Sequence, residues 1–142
     1  MEQIFFLLDV GFLVAALVFT VMFLITIIHG RTLHNDDYRT SAVSYKNLKI
    51  AHFRHANGML WSLALAIFFI ETKVRLGGFA DRSNGLIWTH LCFAVPMLLS
   101  LLILRFKITG TKNLSLHTKI AYASIYLFIG TAITGSMLFF NF

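Results

Sequence analysis

Cysteine occurs once in the 142 residues, at Cys92, and proline once, at Pro96. A lone cysteine inside an apolar run excludes a disulfide framework and a Cys-rich metal site. Charge is scarce too: Asp, Glu, Lys and Arg make up 13% of the chain against 58% hydrophobic residues. That balance points to an integral membrane protein rather than a soluble domain with a core, and one proline and 15 phenylalanines agree with it. Paired carboxylates, a Gly-rich phosphate loop, Cys-x-x-Cys and a nucleophile beside a base are all missing. Hydrolase and kinase readings therefore have no support, and the chain reads away from a stand-alone enzyme.

What remains is apolar sequence in four long runs. A bilayer crossing needs about 20 apolar residues at about 1.5 Å rise each. Residues 4–28 contain Asp9 as their only charge, residues 86–104 contain none, and residues 120–142 form the last run. The second run is uncharged over 56–70 and reaches spanning length only by taking in 52–55 at one end and 71–75 at the other. A backbone in hydrocarbon must satisfy its own hydrogen bonds, and runs of this length without period-two alternation are helices, not barrel strands. The expected fold is all-α, an integral membrane four-helix bundle forming one transmembrane domain over 1–142, with helices at about 4–28, 52–75, 86–106 and 116–140.

Gly77 and Gly78 are expected to end the second helix, Ser83-Asn84-Gly85 to turn into the third, and Thr109-Gly110 to Ser115 to join the third to the fourth. The stretch 30–49 is expected as a longer polar loop whose Tyr38 and Tyr45 suit the headgroup level. The first helix does not read as a cleaved signal, because Glu2 flanks it, it is too long, and no small-residue cleavage site follows. The cations Arg31, Arg39, Lys46, Lys49, Arg54, Arg105, Lys107, Lys112 and Lys119 fall on one side of the four spans, and only Lys73, Arg75 and Arg82 on the other. By the positive-inside tendency the long loop faces the cytoplasm of an inner membrane and both termini lie outside. The net charge of +6 then reflects topology and contact with anionic lipid, and nucleic acid is not an expected partner.

Six histidines stand out against this background. Imidazole is the commonest protein ligand for haem iron, copper and zinc, and ionisable groups inside a membrane are costly enough to make function the default hypothesis. His52, His55 and His117 share a level near the cytoplasmic ends of helices two and four, whereas His90 lies roughly 20 Å from His55 along the membrane normal. His52 and His55, three apart, point to one face that Met59 and Ser62 continue. The face beginning at His117 runs through Ala121, Ser124, Phe128, Thr131 and Gly135, small residues that suit close helix packing. His55 and His117, with His52 as alternate, would ligate a b-type haem, with Arg54, Lys112 and Lys119 at the propionates. A copper or zinc site would use the same histidines.

His90 is a second candidate for cofactor or metal. Its face runs through Ala94, Met97 and Leu101; a partner would come from Asp9 or Met137, and a quinone, with Trp88, Phe93 and Trp61 as walls, is an option ranked with chlorophyll-type pigment below haem and copper. His29 and His34 read as ordinary interfacial side chains, Cys92 as a buried spectator, and Met59, Met97 and Met137 as packing.

The segments His55-Ala-Asn-Gly-Met59-Leu, Thr89-His90-Leu-Cys-Phe-Ala94 and His117-Thr-Lys-Ile120-Ala-Tyr122, the last followed by Ile125-Tyr126-Leu and Thr134-Gly135, resemble the small four-helix membrane proteins related to the CtaM cytochrome oxidase assembly factor. That family's segments read His-Arg-Arg-x-Met, Ser-His-x-x-Leu-Ala and His-Arg-x-Ile-Ala-x-Trp. Here Ala56-Asn57 replaces the basic pair, and the tryptophans of the last helix are missing. The resemblance covers helices two to four, singles out His55, His90 and His117, and implies haem or metal handling around a terminal oxidase. The expected function is thus a membrane protein binding haem b, with copper as the alternative, in electron transfer or oxidase assembly. The competing reading is a small accessory subunit of a larger respiratory or photosynthetic complex, packed in the lipid bilayer beside other membrane subunits.

Overall fold

A computed structural model of the chain describes residues 2–34, 42–76, 84–107 and 114–140. They form four helices: α1 Glu2–His34, α2 Ala42–Arg75, α3 Asn84–Phe106 and α4 Leu114–Phe140. No strand occurs among the described residues. The fold is all-α as expected, and each helix is long and apolar enough to cross a membrane. The chain is a multi-pass membrane protein. Gly77, Gly78, Ser83, Gly110 and Tyr38 lie outside the described residues.

Two helices run further than the apolar runs suggest. The polar loop expected over 30–49 is helical at 30–34 and from Ala42 onward. The reason lies in the residues. Lys46, Leu48, Lys49 and Ala51 are strong helix formers, and a helix end that leaves hydrocarbon finds water for its unpaired backbone groups. Tyr45, Leu48 and His52 are half-buried while Lys46, Asn47, Lys49 and Ile50 are exposed, so the packed stripe of α2 continues through this stretch. At 33 residues α1 is about 50 Å long, against about 30 Å of hydrocarbon.

The chain divides into two compact units, Met1–Ala80 and Asp81–Phe142. In the first, α1 and α2 pack antiparallel: Asp9 meets Lys73 at one end, Gly11 faces Phe69, Gly58 faces Met22, and Gly30 faces His52 at the other end. The seam on α1 runs through Ala15, Phe19 and Phe23, and on α2 through Met59, Ser62 and Ala66, all buried. These are i, i+3 and i, i+4 neighbours, the spacing that lines one helix face. In the second unit α3 and α4 pack antiparallel through His90 on Thr134, Phe93 on Gly130 and Ser100 on Ser124.

Hydroxyls inside these apolar helices are satisfied locally. Thr20, Thr26, Thr72, Thr89, Thr118 and Thr131 each donate to the carbonyl four residues back. Ser124, 1% exposed, and Ser100 lie 2.8 Å apart across the α3–α4 seam and join the two helices. Pro96 stands inside α3 and cannot donate to the Cys92 carbonyl, a gap that membrane helices tolerate. Gly130 is required for this packing, because a Cβ there would run into the ring of Phe93 far inside van der Waals contact. Gly130→Val is expected to destabilise the α3–α4 hairpin by about 1–3 kcal/mol. Detergent-unfolding titration checks this, with Phe93→Ala expected to restore part of the loss. Gly85→Ala, which meets open space, serves as the silent control.

Candidate functional site

The polar end of the first hairpin gathers three histidines. Four residues of α2 after Ala51 bring His55 to a position where its Nδ1 lies 2.7 Å from the Ala51 carbonyl oxygen. A carbonyl only accepts, so Nδ1 carries a proton and donates, and in the neutral ring Nε2 keeps its lone pair. That is the arrangement in which a histidine is oriented and made basic for a metal. The ring of His29, from α1, stands 5.0 Å from the ring of His55, centroid to centroid, at an interplanar angle of 74°. The Nδ1 of His29 is buried and has no hydrogen-bond partner among the described residues. His52 lies one turn before His55, edge-on to Phe53 at 6.0 Å, with its Cε1 against the space a Cβ at Gly30 would fill.

The expected inward face of α2 is therefore found: His52, His55, Met59 and Ser62 form one stripe against α1. His29, read from sequence as an interfacial bystander, belongs to the cluster instead. A signal for it was present. His29 follows Thr26 by three residues and Met22, which meets Gly58 of α2, by seven, the spacing that keeps one face of α1. The side chain of His34 lies outside the described ones.

In the second hairpin His90 is half-buried, and its Nδ1 lies 3.0 Å from the hydroxyl oxygen of Thr134. Thr134 gives its own proton to the Gly130 carbonyl at 2.7 Å, so the imidazole Nδ1–H donates to the hydroxyl, and the ring also hydrogen-bonds the Thr131 backbone. Gly135 makes room for the ring, since a Cβ there would stand 3.2 Å from His90 Cε1. The expected faces hold, with Met97 and Leu101 buried below His90.

Neither suggested partner of His90 is confirmed. Asp9 pairs with Lys73, its Oδ1 2.5 Å from Nζ, because an ion pair is the less costly state for two charges facing each other in an apolar seam. Met137 is 51% exposed. Trp88 and Trp61 are exposed and so wall no pocket in their own hairpins, whereas Phe93 lies against α4. Cys92 is exposed, not buried, two residues from the inward His90 and so on another face. His117 stands in the first turn of α4, half-buried, with no hydrogen bond to another described residue.

Thr134→Val should remove the hydroxyl acceptor of His90 Nδ1–H, at a cost of about 1 kcal/mol because the Thr131 backbone still bonds the ring. A double-mutant cycle with His90→Ala in detergent-unfolding experiments is expected to return a coupling of about 0.5–2 kcal/mol. Zero coupling would mean that the contact contributes nothing.

Among the described residues no group of three or more His, Cys, Asp or Glu side chains is assembled to hold a metal ion. No protein-family model, curated protein or solved structure matches the chain. The resemblance noted above therefore rests on its three short motifs, and the chemistry of the site rests on the histidines themselves. Two of these, His55 and His90, have Nδ1 held by a hydrogen bond, and in a neutral His55 ring that leaves Nε2 as the lone-pair nitrogen.

Proposed function

We propose that this is a multi-pass inner-membrane protein that holds a redox-active metal centre through His55, haem b or copper, and serves electron transfer or terminal-oxidase assembly. The observation that carries the reading is the 2.7 Å bond from His55 Nδ1 to the Ala51 carbonyl, which leaves Nε2 as an oriented donor. His52, His90 and His117 are the further ligand candidates. A bound haem would supply a one-electron iron couple, tuned by its axial histidine. The residues present fit one axial position at His55. They do not fit His29 as the opposite axial ligand, because rings 5.0 Å apart leave no room for a macrocycle between them.

Both termini are proposed to lie outside the cytoplasm. Supporting this is the count of Lys and Arg alone, nine at the end of the spans that holds the loop after α1 and three at the other.

The test is haem and metal content of the full chain purified in mild detergent without a histidine tag. About one haem or one copper per chain supports the reading. A chain free of both that co-purifies with larger membrane subunits replaces it with the accessory-subunit reading.

A further inference from the structure

We propose that His29 and His55 are two ligands of a single transition-metal ion, of the copper type, held between α1 and α2 at the polar end of the first hairpin. This deepens the reading above by naming the centre at His55, and it rests on that reading. Three observations converge. His55 offers Nε2, its other nitrogen being committed to Ala51. His29 brings a buried Nδ1 that no described residue satisfies, a state that costs free energy unless something completes it. The third observation is the spacing of the rings.

A metal–nitrogen bond of about 2.0–2.1 Å places each ligand's ring centroid about 3.2 Å from the ion. Two such rings are then about 4.6 Å apart at a right angle between the bonds, about 5.3 Å at the tetrahedral angle and about 6.5 Å when opposed. The observed 5.0 Å lies between the first two and well short of the third. That spacing, which an edge-to-face ring contact also has, admits neighbouring positions around one ion and does not admit the two faces of a haem. Imidazole donors suit copper and zinc, and copper binds the same donors more tightly. No third His, Cys, Asp or Glu completes a set among the described residues, so the remaining positions fall to water or to an incoming ligand. A site of that kind exchanges its ion readily, which suits delivery better than storage.

The test is titration of copper(II) into the metal-free, tag-free full chain in detergent, read by continuous-wave and pulsed electron paramagnetic resonance. One copper per chain with two imidazole nitrogens is expected, lost in His29→Ala and in His55→Ala and kept in His34→Ala. The nitrogen count of the wild-type chain does not depend on any variant folding. Fewer than two imidazole nitrogens, or wild-type copper binding by His29→Ala, overturns the inference. If haem iron occupies His55 and His29→Ala changes nothing, the inference fails while the wider reading stands. A chain that takes neither copper nor haem ends both.

Discussion

His55→Ala is expected to strip the chain of its metal entirely, whether the iron of a haem or a copper ion, while leaving the helices in place. The substitution removes one half-buried side chain near the polar end of α2 and breaks no contact deep in the seam, where Phe19, Phe23, Met59 and Ala66 carry the packing. Its only described hydrogen bond runs to a carbonyl of its own helix, so folding loses little when it goes. The metal loses the donor that the Ala51 carbonyl orients, and His52 stands one turn away from that place. Metal analysis and circular dichroism on the same sample check both halves of the expectation. Full metal content in the variant would remove His55 from the site.

The second large effect is structural. Lys73→Met should leave the Asp9 carboxylate facing an apolar seam with no counter-charge. Losing one partner of a fully buried pair costs about 3–5 kcal/mol. The side chains of Lys73 and Asp9 keep 14% and 29% exposure, so a cost of about 2 kcal/mol is expected here. The double variant Asp9→Leu/Lys73→Met should recover most of that loss, because replacing both charges with apolar groups removes the desolvation cost together with the attraction. Unfolding by denaturing detergent, followed for the four chains of the cycle, measures this. Equal stability of Lys73→Met and the wild type would show that the pair is decorative.

Much of the architecture was legible because lipid narrows the choices. Long apolar runs permit only helices, and the stripes His52, His55, Met59, Ser62 and His90, Ala94, Met97, Leu101 follow from 3.6-residue periodicity alone. The helix ends beyond the hydrocarbon were not legible, because hydropathy ceases to report on structure once a helix enters water. The partners were the harder part. Asp9 sits 64 residues from Lys73 in the chain and His90 44 from Thr134, and only the register of each hairpin pairs them. His29 was passed over because the apolar run stops at Ile28, although the helical period carries one residue further. The ring orientations of His55 and His90 depend on a few acceptor atoms, the Ala51 carbonyl oxygen for the one and Thr134 Oγ1 with the Thr131 backbone for the other, and cannot be read from sequence at all.

The most direct test of the metal-centre reading is the optical spectrum of the purified chain, oxidised and then reduced with dithionite, with iron and copper quantified on the same sample. A stoichiometric metal is expected: either iron with a Soret band that shifts on reduction, or copper with no such band. The copper result would also meet the spacing of His29 and His55. A chain without colour and without metal, purified under conditions that retain haem in other membrane proteins, would contradict the account and turn the search to its protein partners.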